Sequence, residues 1–213
     1  MDWVKGTFGT SIGKKQLMAV TGLGFIGFLT GHLLGNLTIY LGPDAFDSYA
    51  EHLHALGPLV NAAEIGLLLF AIIHVGTGLL LFLQNYKARP VKYVGKKWAG
   101  GRTIFSATMP YTGILILLFL IIHLKTFHFV DHDSQTISQI VSHAFSSVGY
   151  VLFYMFSMIV VAFHVKHGFW SAFQTLGLNH LKYMPTIFVL SALAALAAGF
   201  GFGFLPVVSR LVL

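Results

Sequence analysis

Read for polarity alone, the chain breaks into five long apolar runs separated by short polar stretches. The runs lie near residues 17–41, 60–84, 104–128, 147–173 and 184–207. Each is long enough to cross a hydrocarbon core, which takes roughly 20 helical residues. None alternates apolar and polar positions as a barrel strand does, and a backbone in lipid must satisfy its hydrogen bonds internally. The pattern predicts an all-α integral membrane fold of five transmembrane helices, with spans I–IV as a four-helix bundle and the fifth helix peripheral. Span V, with its SALAALAAGFGFGF run, holds no ionisable residue and many small ones, so it should pack closely on its neighbours. The stretch 131–146 is the most polar and predicts an external loop with some helix. No domain boundary is visible, so residues 1–213 read as one domain.

Composition sharpens this picture. The chain is 56% hydrophobic and 9% charged, against about 25% charged residues in a soluble domain. It has no cysteine, which excludes disulfides and cysteine-held zinc or iron–sulfur centres within the chain. The first run is too long for a signal-peptide core and no A-x-A site follows it, so it should be retained as a span. The net charge of +6 matters mainly through its distribution. Lys5, Lys14 and Lys15 precede span I, and Lys87, Arg89, Lys92, Lys96, Lys97 and Arg102 lie between II and III. Lys166 and Lys182 follow the span IV histidine. Asp44, Asp47 and Glu51, then Asp131 and Asp133, occupy the other loops. By the positive-inside rule the N-terminus faces the cytoplasm and the C-terminus, with Arg210, lies outside an inner membrane.

Four histidines stand inside the apolar runs in a repeated pattern. Thr21-Gly22 precedes His32 by the same eleven residues that separate Thr112-Gly113 from His123. His74 and His164 are each followed four residues on by glycine, Gly78 and Gly168. One membrane histidine can simply hydrogen-bond across helices, but ionisable residues in spans are expensive and four in one pattern point to function. Depth decides how they pair. His32 lies about 26 Å beyond Lys15 and His123 about 32 Å beyond Arg102, both in the outer half. His74 lies about 20 Å before Lys87, and His164 about 18 Å before Leu176, where span IV should end. Spans I and III run one way and II and IV the other, so His32 should meet His123 at one level and His74 should meet His164 at another. Two imidazoles at one level suit bis-histidine ligation of a haem, whereas zinc wants three or four converging ligands. Gly78 and Gly168, one turn from their histidines, would leave room for the ring, and Gly22, Gly31 and Gly35 crowd the His32 helix. With no C-x-x-C-H, the haem would be b-type.

At this point the residues resemble the diheme cytochrome b membrane anchor of the succinate:quinone oxidoreductases, which include the fumarate reductases. The likeness covers nearly the whole chain, through GKKQLMAVTG, FLTGHLLGNL, AFDSYAEHLHALGP, AAEIGLLLFAIIHVGTGLL and FHVKHGFWSAFQTLG. It implies two haem b groups, His74 and His164 on the proximal iron and His32 and His123 on the distal. It implies a flavoprotein subunit and an iron–sulfur subunit on the cytoplasmic side, and quinone, commonly menaquinone, as substrate in the membrane. Some diheme fumarate reductases carry a glutamate two residues before the fourth ligand for transmembrane proton transfer; here the position that the resemblance matches to it is Ala162.

Within that frame Glu51, His54 and Glu64 are candidates for the quinone and proton site on the outer side. The plainer readings are a solvated loop for Glu51, His52 and His54 and an interfacial acid for Glu64. Asn36 would orient a quinone carbonyl. Lys166 would either reach the cytoplasmic surface or pair with a proximal haem carboxylate. His128, His132, His143, His167 and His180 read as surface residues. Two other functions compete: the cytochrome b anchor of a hydrogenase or formate dehydrogenase, and a haem-free proton-coupled transporter. The parallel repeat and the absence of Gly-Pro breaks at the histidines weigh against the transporter.

Overall fold

The computed structural model describes residues 6, 9–88, 103–131 and 134–213. These are helical nearly throughout, with no strand among them. Helix α1 covers Ser11–Asn36 and runs on through a 3-10 turn, Leu37–Leu41; α2 is Pro43–His54 and α3 is Pro58–Lys87. Then come α4 at Ile104–Phe127, α5 at Ile137–Phe145 and α6 at Val148–Thr175. The last rod joins α7 (Met184–Leu196), a π-helical segment (Ala197–Phe202) and α8 (Gly203–Val212). The five long rods are each long and apolar enough to cross a membrane. The first begins at Ser11, earlier than the hydropathy suggested, because Lys14 and Lys15 form part of its opening turns.

The ends of these helices follow from local chemistry. The Thr10 hydroxyl accepts from the Gly13 amide at 3.0 Å and opens α1. Thr103 with Ser106 and Thr136 with Gln139 form reciprocal capping boxes at α4 and α5. Gly42 (φ 103°) and Gly57 (φ 50°) take backbone conformations that a Cβ disfavours. Each is followed by a proline that opens the next helix. The stretch around AFDSYAEHLHALGP is therefore a short helix folded back against the bundle.

Helix α1 packs on α3 and α6, and α4 packs on α6. Helices α3 and α4 touch only sparsely, and neither diagonal, α1 with α4 or α3 with α6, makes an extended backbone contact. The four rods thus surround a central seam. Their outward faces carry exposed apolar side chains such as Leu68, Ile72, Leu118 and Ile121, as expected where the surrounding solvent is lipid. The fifth rod lies chiefly against α6. Its small residues allow the close approach expected of them. A Cβ at Gly199 would stand 3.1 Å from Ala162, and one at Gly201 would meet Leu33.

We call the end where α1 begins the lower end. The upper end is closed by α2, α5 and α8. Asp47 of α2 accepts from the Ser138 amide and hydroxyl, both at 2.7 Å, at the start of α5. Arg210 of α8 donates to the Phe145 and Ser146 carbonyls at its end, where a cation complements the helix dipole. Ile39, Phe46, Val141, Phe145, Val151, Tyr154 and Leu205 form the core beneath. The stretch 131–146, expected as an external loop with some helix, holds α5, capped at both ends, which buries Ser138, Ile140, Val141 and Phe145. Lys5, Arg89, Lys92, Lys96, Lys97, Arg102, His132 and Asp133, which carry much of the orientation reading, lie outside the described residues.

Candidate functional site

Two pairs of histidines meet across the diagonals of the bundle. The ring centres of His32 on α1 and His123 on α4 are 6.0 Å apart. Those of His74 on α3 and His164 on α6 are 6.3 Å apart. The rings of each pair are steeply crossed, at 90° and 65°. An imidazole nitrogen sits about 2.0 Å from a bound metal, which places two trans ring centres roughly 6 Å apart. The crossing angle is no obstacle, since two imidazoles on one metal can stand parallel or crossed. No group of three or more His, Asp or Glu suited to a bare metal ion occurs among the described residues.

The inner pair is held by the two Thr-Gly phrases. Thr21 donates its hydroxyl proton to the Leu17 and Met18 carbonyls, at 2.8 and 3.2 Å. Its oxygen is therefore free to accept from His74 Nδ1, 3.2 Å away. The Met18 carbonyl lies 3.1 Å from the same nitrogen and can only accept, so Nδ1 carries the proton. Thr112 repeats the arrangement. It donates to the Thr108 and Met109 carbonyls at 3.2 and 3.1 Å and accepts from His164 Nδ1 at 3.1 Å. In both rings Nε2 is left with its lone pair, the state a metal ligand needs. The glycine beside each threonine makes space for the ring. A Cβ at Gly22 would stand 3.2 Å from His74, and one at Gly113 3.6 Å from His164.

The threonine and histidine of one phrase thus serve different sites. Thr21 fixes a histidine of the lower pair, and His32, eleven residues on, belongs to the upper pair. That spacing corresponds to about 16 Å along the helix axis. Gly22, grouped by sequence with His32, works at the lower pair instead.

At the upper pair, His123 Nδ1 lies 3.1 Å from the Tyr154 hydroxyl, and the Tyr154 ring packs against that of Tyr150 with centres 4.9 Å apart. Tyr150 bonds Thr126 at 2.6 Å, and Thr126 donates to the Ile122 carbonyl at 2.9 Å. A carbonyl can only accept, so Thr126 in turn accepts from the Tyr150 hydroxyl. His32 is held differently. Asn36 donates to the His32 carbonyl at 2.8 Å and reaches Nδ1 only at 3.5 Å. The ring stacks on Phe28, with centres 5.2 Å apart, and meets Phe202 of the π-helical segment at 5.6 Å. Asn36, expected to turn toward a quinone, is occupied with its own helix.

The glycines one turn below the lower histidines border open space. A Cβ at Gly168 would touch nothing within 4 Å, and one at Gly78 would meet only the Met18 sulfur at 3.8 Å. The ring spacing at both pairs, and the protonated Nδ1 atoms and open glycine flanks at the lower one, fit a flat group that would be held between two imidazoles.

Other candidates fall elsewhere. Glu64 pairs with His128 at 3.8 Å, joining the start of α3 to the end of α4, a partner hidden by the distance in sequence. Glu51 and His54 stand exposed on α2. Lys166, two residues past His164 and so on the opposite side of α6, holds Nζ 4.6 Å from the Phe105 ring centre. It borders a cavity of about 420 Å³ with Trp170, Phe188 and Ser191, away from the lower pair. His167, read as a surface residue, has a buried Nδ1 with no partner.

The fold and site together define an all-α membrane protein of five spans with two stacked histidine pairs in its bundle. Comparison of the chain with family models, curated proteins and solved structures finds no match.

Proposed function

We propose that this chain is the diheme cytochrome b anchor of a succinate:quinone oxidoreductase, a succinate dehydrogenase or fumarate reductase. In this reading it sits in the cytoplasmic membrane with its lower end toward the cytoplasm. The observation that carries the proposal is the meeting of two histidine pairs, at two depths, each across a bundle diagonal. His32 and His123 would hold one haem b and His74 and His164 the other. Bound haem supplies one-electron redox chemistry that the side chains lack.

The chain contributes position and environment. Thr21 and Thr112 hold two imidazoles in the ligating tautomer, Tyr154 anchors His123, and the apolar rods keep bulk water from the seam. The pairs lie about 16 Å apart along the bundle, so electrons entering from an iron–sulfur subunit below would cross most of the membrane to an upper quinone site. A flavoprotein subunit would carry the succinate or fumarate chemistry, and quinone, in our reading menaquinone, would react near the upper pair. Glu51, His54 and the Glu64–His128 pair line up on that side to exchange the protons of quinol. Ala162 faces Gly199 of the fifth rod and offers no proton-carrying group beside the bundle.

Purification of the native complex tests the proposal. Succinate oxidation or fumarate reduction coupled to a menaquinone analogue, with two haem b per chain, is the expected result. A haem-free preparation, or one whose electrons come from hydrogen or formate, would overturn it.

A further inference from the structure

His167 Nδ1 is the only buried side-chain nitrogen or oxygen without a hydrogen bond among the described residues. A buried polar atom surrounded by apolar rods is costly to leave unpaired. Its ring is fixed edge-on against Trp170, with centres 4.9 Å apart at 87°, so it is packed in place. It lies three residues past His164, on the same side of α6 and about 4.5 Å nearer the lower end. Lys166 points to the opposite side and is engaged with Phe105. His167 is therefore the first polar group on that side of α6 below the lower histidine pair, with Ser171 about one turn further down.

Haem b carries two carboxylates on one edge of its ring. A carboxylate buried beside the lower pair would need a donor. An N–H donated to a carboxylate is charge-assisted and stronger than a neutral bond. We infer that His167 donates through Nδ1 to a carboxylate of the haem held by His74 and His164. The inference rests on the haem reading of that pair and assigns a binding residue within it. By drawing charge from the carboxylate, the donor would ease reduction of the iron and help retain the group.

The test is an optical redox titration of the assembled complex, together with the rate of haem loss to a haem-free globin. His167→Phe keeps a ring against Trp170 and removes both nitrogens, and His167→Leu is a second donor-free variant. His167→Asn retains an N–H. The donor-free variants should lower the midpoint of the transition assigned to His74 and His164 and speed loss of that haem about tenfold, the scale of a lost ligand-shell bond. The Asn variant should restore most of both, and the transition of the upper pair should not move. An unchanged lower transition and haem-loss rate in any assembled donor-free variant, with two haems present, would overturn the role of His167 alone. Absence of haem from the unmodified complex would overturn the haem reading itself.

Discussion

At the scale of single residues, the site rests on side chains that are not ligands. Thr21 and Thr112 each present an oxygen whose proton is already committed to a backbone carbonyl, and that commitment makes them acceptors. Thr21→Val and Thr112→Val keep the shape and remove the acceptor. Each should weaken retention of the lower haem about 10–100-fold and leave the upper one in place, as for other second-neighbour bonds to ligands. Haem titration of the variants checks this, and equal loss at both sites would contradict it. Tyr154→Phe should act in the same way on the upper haem only. The histidines themselves were legible in the sequence, because ionisable residues stand out in apolar runs. Their partners were not. A threonine or tyrosine in a span carries no compositional signal, and the eleven-residue phrase joined Thr21 to His32 when the fold gives it to His74. His167 was equally hidden, since a histidine near a span end has the same sequence signature whether it faces water or the bundle.

At the scale of elements, the five spans could be read from hydropathy and some helix was expected at 131–146, while helix α2 and the bounds of α5 could not be read. The α2 and α5 sequences are polar enough to resemble loops, and only their docking makes them structure. Asp47 is the clearest joint, since its carboxylate caps α5 from another helix. Asp47→Ala should cost about 1 kcal/mol, typical for a lost N-cap, and lower the thermal midpoint of the complex without altering either haem spectrum. The fifth rod does more than pack. Its π-helical segment brings Phe202 onto His32, and a side chain at Gly201 would strike Leu33. Gly201→Leu should push that rod away and perturb the spectrum of the upper haem while the lower stays normal. A perturbation confined to the lower haem would show that the rod is seated differently.

For the whole molecule, the proposed function would stack two redox positions along the direction of the membrane. Electron flow between its ends would then be coupled to the membrane voltage, at about 2.3 kcal/mol per charge per 100 mV for a full crossing. On the upper side, Glu64→Gln breaks the pair with His128. Together with Glu51→Gln it should slow quinol oxidation, with both haem spectra and succinate–dye activity intact. Quinone or a tight inhibitor found only at the lower end, with these substitutions silent, would contradict an upper site.

The pairing of the four histidines by depth is tested by a redox titration of the haem spectra in four single variants. His32→Ala and His123→Ala should each abolish the same transition and spare the other. His74→Ala and His164→Ala should each abolish the one that remains. Loss of a common transition in His32→Ala and His74→Ala, or a wild-type chain with fewer than two haems, would contradict the pairing.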